Sequence, residues 1–518
     1  MELLTFKKNT RKPVVDPTLV AKLVSQQLSA DELTRLLQQQ LDTFMATKPN
    51  FLLLTDGYKY AHWKFYAPGT SKIYSYVEAR GHKLFHETVM FGAQYMLKEY
   101  LSGQLFTQQD LEEAAEHIKQ ATGRDDVFNR AGFQLWLDRY NGYAPVEIKA
   151  APEGTVVPLK NVLLTIESTD PELAWVANWL ESLLLEIWYP ITVATLSREV
   201  KKVAQQFYQK SATSQLLDFV LNDFGFRGVS SVQSAEIGGM AHLVNFAGSD
   251  NMAASAAAQQ YYNTSKWNAL TIPATEHSIM TQQGKEGEYD VITRVLRTFP
   301  TGMVACVMDS FDILASTRFV GTLKDEILAR DGVFILRPDS GDPKATLLAM
   351  FKILFEDFGF TVNEKGFKVL PPQIRLIQGD GVNYFSIIDI LETLTSDEHK
   401  ISAENLVFGM GGKLLQADIN RDTFNFAFKC SYSVVNGQEI NVVKSPTEID
   451  ANGNVQQSFK KSKQGRLKLV RGADGQLYTH TSMDPGFEQA QDVLEVIFRN
   501  GMLLQECTFE QVQQRAAL

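Results

Sequence analysis

The sequence predicts an α/β fold: an irregular (β/α) barrel of parallel strands, joined to an α+β domain built from the N- and C-terminal segments. Two observations carry the barrel. Six short apolar runs each end in small or charged residues and lead into a helix-like segment; the ends are residues 223–228 (DFGFRG), 273–278 (PATEHS), 309–312 (DSFD), 337–339 (RPD), 379–381 (GDG) and 409–412 (GMGG). Those ends recur roughly 30 to 50 residues apart, about the length of one βα unit, and six units favour a ring over an open sheet. A third observation carries the second domain: the flanking stretches alternate apolar and polar residues and do not continue the barrel rhythm. The expected division is 1–47 as a helical extension, 48–170 together with 424–518 as the α+β domain, and 171–423 as the barrel-like domain.

Taken in order, Leu19, Leu23, Leu28, Leu33, Leu36, Leu37 and Leu41 recur at helical intervals. They predict two short amphipathic helices, with Ser29 and Glu32 forming a capping box on the second. Residues 72–78 read as a strand ending at Arg80, and 94–101 and 109–122 as helices. Residues 143–151 and 155–167 read as strands turned by Pro152-Glu153-Gly154. Residues 172–186 and 197–208 are helical. After the barrel, 424–435 and 439–444 form a hairpin over Asn436-Gly437. Strands at 467–471 and 493–500 and a short helix from Thr508 finish the chain.

Composition narrows the function. A net charge of −10 and a pI near 5.5 give no electrostatic footprint for nucleic acid, so any phosphate must meet a local cluster of Arg and Lys. The three cysteines lack metal-ligand spacing and read as reduced thiols of a cytoplasmic protein. No apolar run approaches membrane-spanning length and no signal peptide is expected.

The chemistry gathers at the strand ends. Val333-Phe334-Ile335-Leu336 reads as a buried strand that runs into Arg337-Pro338-Asp339: a fixed planar cation for phosphate or pyrophosphate, then a carboxylate for ribose hydroxyls or Mg²⁺. Taken alone this is ordinary turn chemistry. Gly379-Asp380-Gly381 and Gly409 to Gly412 permit close backbone approach, with unpaired N–H groups at the helix starts behind them. No P-loop or GxGxxG pattern follows a strand. His277 begins a helix beside Glu276, which would raise its basicity, although a histidine that merely caps the helix is the commoner case. Phe224 beside Arg227 suits a flat heterocycle or the core. Asp250 either accepts from an amide or caps the Ala-rich helix that follows.

The motifs DFGFRGVSS (223–231), AHLVNF (241–246), Glu276-His277-Ser278, RPDSGD (337–342), IQGDGV (377–382), residues 408–416 and FKCSY (428–432) together resemble the nicotinamide phosphoribosyltransferase family over about residues 50–510. The resemblance implies a homodimeric enzyme with active sites at the subunit interface, converting nicotinamide and phosphoribosyl pyrophosphate to nicotinamide mononucleotide and pyrophosphate. It further implies coupling to ATP hydrolysis through a phosphohistidine, with Mg²⁺ held through pyrophosphate near Asp309 or Asp339. His277, Asp339 and Arg337 would be the catalytic residues. Phe224 and the partner subunit's Tyr58 would sandwich the pyridine ring, and Asp250 would accept the carboxamide N–H. Arg227, His277 and Arg337 would meet the pyrophosphate. Pro338, Asp339, Gly379, Asp380, Gly411 and Gly412 would hold the ribose and 5′-phosphate, Arg421 and Lys429 would complete the phosphate pocket from the other subunit, and Arg80, Lys444 and Lys460 would line its entrance. Gly57, Met410, Lys413 and Ala427 depart from the family pattern. The rival readings are a nicotinate-specific enzyme of the same chemistry, a non-catalytic sugar-phosphate-binding protein, and an unrelated barrel aldolase or isomerase; the last lacks a strand-end lysine in the cluster.

Overall fold

The computed structural model describes residues 49–449, 453–457 and 461–518. The expected N-terminal helices and Lys460 lie outside the described residues. What is described contains two principal sheets, one antiparallel and one parallel.

The antiparallel sheet interleaves the two ends of the chain. Its order is Gln438–Asn441, Phe426–Val435, Thr70–Ala79, Val162–Ser168, Val146–Ala150, Glu495–Arg499 and Met502–Leu503. The C-terminal strand Phe426–Val435 lies against Thr70–Ala79, pairing Lys429 with Tyr76, and Glu495–Arg499 pairs with Val146–Ala150. One face buries aromatic side chains around Trp136, with Phe133, Phe106, Trp175 and Trp179 at edge or stacked geometry. The strand expected over 155–167 is split into Val156–Pro158 and Val162–Ser168, because Pro158 is followed by a turn in which Lys160 takes φ 66°. Residues 172–186 form three short turns, Pro171–Leu173, Val176–Trp179 and Glu181–Leu185, rather than one helix. The helix expected over 197–208 extends to Trp188–Ser211 and tolerates Pro190 in its first turn, where its missing N–H has no partner to lose.

The parallel sheet has the order Leu221–Asp223, Leu406–Met410, Ile374–Gln378, Asp331–Arg337, Thr301–Val307. It does not stop at its edges. Ala274 bridges Ala305, Leu270 bridges Gly248, and Ser249 bridges Asp223, all parallel. Backbone hydrogen bonds accompany these bridges: Ala305 N–H to Pro273 O at 2.9 Å, Leu270 N–H to Ala247 O at 2.8 Å, and Asp223 N–H to Gly248 O at 3.2 Å. Five strands and two bridged segments thus close a ring. The segment at Gly248-Ser249 is too short to be legible as a strand. Gly248 is needed there, since a Cβ would stand 2.1 Å from the Asn222 amide oxygen. His242, fully buried in the helix Val232–Leu243, lies 3.1 Å from the Gly248 carbonyl through Nε2 and 2.9 Å from Ser197 Oγ through Nδ1.

Side chains alternate along the strands. Ala305, Ile335 and Ile377 form a small cluster inside the ring, with Phe224, Ile272, Val333 and Val407 packed against it. Cys306, Phe334, Leu336, Leu376 and Phe408 join the large core shared with the helices. The inward set is the floor on which the site is built. Among the described residues no helix is long and apolar enough to cross a membrane.

At the start of Asp331–Arg337, Gly332 has φ 153°, and a Cβ there would lie 1.9 Å from the Gly302 carbonyl oxygen on the neighbouring strand. Gly332→Ala is expected to destabilise the protein by about 2–4 kcal/mol, read from chemical unfolding against wild type.

Candidate active site

The ring aims its strand ends at one rim. Positions 305, 335, 377 and 407 point inward, and continuing the same parity upward gives Asp309, Arg337, Asp339, Gly379, Gly409 and Gly411. Phe224 covers the inward cluster. Its N–H donates to Met410 O at 3.0 Å, which ties the aromatic turn to the glycine loop. A Cβ on Gly409 would stand 1.9 Å from the Phe224 ring, so the ring lies against a strand that can carry no side chain there. The Arg337 guanidinium sits 5.3 Å from the centre of that ring, in cation–π geometry.

Arg337 Nη2 donates to Asp339 Oδ1 at 2.8 Å, fixing the guanidinium plane. Its Nε is buried with no hydrogen-bond partner among the described residues, and the same holds for Ser310 Oγ and Gln378 Oε1 at the neighbouring strand ends. Buried polar atoms seldom stay unpaired, and the Arg337 Nε, on an inward-pointing residue, indicates a place for a polar ligand. Gly379 supplies the room: a Cβ would fall 2.8 Å from Arg337 Nε and 3.1 Å from Asp339 Oδ1.

His277 opens the short helix His277–Thr281 and stands half exposed between two carboxylates. Nε2 lies 3.1 Å from Asp309 Oδ1 and Nδ1 lies 4.0 Å from Asp339 Oδ2. Its hydrogen-bonding carboxylate is therefore Asp309, only 5% exposed, rather than the adjacent Glu276, which accepts from Ser278 Oγ instead. An imidazole so held has its orientation set by Asp309 and keeps about half of its surface open to an incoming group. Behind Asp309, Glu288 is buried against Ser316, and burial foremost, then the charges of Asp312 and Asp309, push its carboxyl up.

Asp250 is exposed beside this rim and accepts from Thr271 Oγ1. It does not cap the following helix. Asn251 does, accepting from the Ala254 N–H, which leaves the Asp250 carboxylate free to meet a ligand. Asp223, Asn251, Thr271 and Ser310 are site neighbours that the sequence reading missed. Only Asp223 had a signal there, as the single acid inside an apolar strand end.

Arg227 is exposed on the Phe224 turn and makes no ion pair among the described residues. Asp380 is exposed, Pro338 buried, and Gly412 faces the Phe224 turn, 3.1 Å from where a Gly228 Cβ would stand. A second group lies around Glu181 on the antiparallel sheet. The Lys429 ammonium is lowered by burial foremost and then by the charges of Arg80, Lys444 and Arg421, with Glu181 opposing. Tyr58, 63% exposed, faces the same Glu181. Five expected ligand-binding residues thus share a basic patch apart from the barrel cradle.

The departures are mild. Gly57 has open space around the position of a Cβ, so a serine would fit there equally well. The Met410 side chain is buried in the core, and Lys413 pairs with Asp418 at 2.6 Å. Among the described residues no group of three His, Cys, Asp or Glu is arranged to hold a metal.

A parallel barrel whose rim carries a guanidinium–carboxylate cradle under open glycines suits a sugar phosphate, and the relatives of this chain are phosphoribosyltransferases. Residues 219–474 match the nicotinate phosphoribosyltransferase family, and residues 50–148 match the nicotinamide phosphoribosyltransferase N-terminal domain. A nicotinamide phosphoribosyltransferase of Xanthomonas campestris pv. campestris is 42% identical over 476 residues, covering 90% of this chain and 98% of the relative. One from Acinetobacter baylyi is 30% identical, covering 91% and 98%. Among solved structures, nicotinate-nucleotide pyrophosphorylase from Pyrococcus furiosus superposes with TM-score 0.55 at 15% identity, over 90% of this chain and 95% of that one. Human nicotinic acid phosphoribosyltransferase gives TM-score 0.52 at 15% identity, over 90% and 93%. At that identity these two speak for the fold. The chain belongs to the nicotinamide phosphoribosyltransferase family.

Gly379→Ala places a methyl against both arms of the cradle. It is expected to raise KM for phosphoribosyl pyrophosphate by about tenfold, worth about 1.4 kcal/mol, with the thermal midpoint within a few degrees of wild type; steady-state kinetics and a melting curve check both.

Proposed function

We propose that the protein transfers the phosphoribosyl group of phosphoribosyl pyrophosphate to nicotinamide, forming nicotinamide mononucleotide and pyrophosphate in NAD salvage. The observation that carries this reading is the convergence of Phe224, Arg337, Asp339 and His277 on one barrel rim, with Asp250 beside them. The Xanthomonas and Acinetobacter relatives bear that activity in their names.

The roles assigned on this reading are these. Phe224 offers a ring face for the pyridine. Asp250 accepts the carboxamide N–H and repels a carboxylate in the same place, which selects nicotinamide over nicotinate. Arg337, with its unused Nε, and Arg227 hold the pyrophosphate. Asp339 and the open backbone at Gly379, Asp380, Gly411 and Gly412 receive the ribose and 5′-phosphate, and Pro338 stiffens that turn. As the bond to pyrophosphate breaks, positive charge develops on the ribosyl carbon and negative charge on the leaving group. Cations fixed on the latter, and a nitrogen aimed at the former, are all the reaction requires. No protein nucleophile toward the sugar is involved.

Asp309 and Asp339 suit a Mg²⁺ ion that draws its remaining oxygens from pyrophosphate, where it would neutralise charge on the leaving group. His277, exposed between two carboxylates, suits transient phosphorylation by ATP, which would couple hydrolysis to turnover. The active form is a homodimer in the cytoplasm. There Tyr58 of one subunit covers the second ring face of the other's site, and Arg421 and Lys429, with Arg80, Lys444 and Lys460 at the entrance, complete the phosphate pocket. The division into 1–47, 48–170 with 424–518, and 171–423 belongs to the same reading.

Incubation of nicotinamide with phosphoribosyl pyrophosphate should yield the mononucleotide, and its absence would remove the assignment. Addition of ATP should leave acid-labile phosphate on wild type and none on His277→Ala; label that persists in the variant would confine His277 to pyrophosphate binding. Asp250→Ala should lower kcat/KM for nicotinamide by roughly 10- to 100-fold, the worth of one hydrogen bond to a charged group at about 1.5–3 kcal/mol, and leave that for nicotinate unchanged or improved.

A further inference from the structure

Asp223 lies beneath both halves of the base site and touches neither ligand position. Its side chain is fully buried. Oδ1 accepts from the Gly225 N–H at 2.7 Å, closing the turn that carries Phe224, and Oδ2 accepts from Asn251 Nδ2 at 3.1 Å, holding the residue after Asp250. Its main chain does the same work: Asp250 N–H donates to Asp223 O at 3.0 Å. Asn251 has no freedom to turn over. Its Nδ2 also donates to Ala235 O at 2.8 Å and its Oδ1 accepts from Ala254 N–H at 3.3 Å. Both Asp223 oxygens therefore face donors, and only the carboxylate satisfies both.

That carboxylate has no ion pair among the described residues. A buried anion without a counter-ion is expensive, and holding a turn does not require one. On the nicotinamide reading, the charge has a use. We propose that Asp223 is a positioning and specificity-determining residue for the base: its two hydrogen bonds fix Phe224 and Asp250 at one spacing, and its charge stands behind Asp250, making this end of the site doubly negative and hostile to an anionic base. Burial foremost, and Asp250 in the same direction, push the Asp223 carboxyl up to about 6, against the Gly225 and Asn251 hydrogen bonds. The other group that faces it is the Tyr189 hydroxyl from the helix Trp188–Ser211, whose own ionisation is raised by burial foremost and then by Asp223. Protonation as pH falls through about 6 removes one charge and one of the two hydrogen bonds.

The sign for stability runs the other way. A carboxyl raised in the folded state favours folding below its folded pKa and loses that contribution as pH rises through about 6. Function and stability thus pull apart at this residue.

The test is the ratio of kcat/KM for nicotinamide to that for nicotinate between about pH 5.5 and 8, in wild type and Asp223→Asn. The ratio cancels groups that act on both bases alike. In wild type it should fall by about fivefold to tenfold on acidification, with a midpoint near pH 6. Asp223→Asn should show the low ratio already at pH 8, a flat profile, and a KM for phosphoribosyl pyrophosphate within about twofold of wild type. A pH-independent wild-type ratio would overturn the proposal. So would an Asp223→Asn protein that loses both bases and phosphoribosyl pyrophosphate equally, which is the behaviour of a residue that only holds the fold. The new amide sets a donor against Asn251, so if the variant does not fold, the wild-type profile decides alone. The change has the same direction whichever base wild type prefers, so the result stands apart from the nicotinamide reading itself.

Discussion

Closure of the parallel ring is the constraint on which everything else rests. Two of its members, at Gly248-Ser249 and at residues 270–274, are held by about two backbone hydrogen bonds on each side. Yet those segments carry Asp250, Thr271 and His277. Without the bridge from Ser249 to Asp223, the residue that reads the base and the ring that stacks it would have no common frame. The fold therefore spends its weakest pairing where the site needs its finest placement, and a buried histidine and a buried aspartate reinforce it.

Once the ring is closed, alternation does the rest. An inward aliphatic at 335, 377 and 407 forces the residues two positions on toward the same axis, and there the chain changes from apolar to charged or to glycine; on the strand of Ala305 the change comes two residues later, at Asp309. The rim is electrostatically mixed rather than simply basic. Arg337 is pinned by Asp339, His277 lies between Asp309 and Asp339, and Glu288 and Asp223 are buried acids behind them. Further cationic charge gathers around Lys429 on the antiparallel sheet.

Much of this was legible in the sequence because apolar runs, turn residues and strand-end polarity are local signals. The buried strand into Arg337, the two glycine loops and the helices behind them are of that kind. What stayed hidden depends on distance in the chain. Glu276 is beside His277 in sequence, but Asp309, on the next strand, is its partner in space. Asp250 and Asn251 are equally good helix caps on paper, and only the register of the bridge to Asp223 decides that Asn251 takes the role. The pairing of Gly248-Ser249 has no periodicity to detect, being shorter than one strand repeat. Likewise the break at Lys160 came from a positive φ that a run of valines and leucines does not announce.

The account stands or falls on which base the rim accepts. Equimolar nicotinamide and nicotinate, supplied together with limiting phosphoribosyl pyrophosphate at pH 8, let the enzyme choose, and the two mononucleotides are separated and counted. The geometry of Phe224 and Asp250 predicts that nicotinamide mononucleotide exceeds nicotinate mononucleotide by at least about tenfold, a difference of about 1.4 kcal/mol. A product dominated by nicotinate mononucleotide would contradict it.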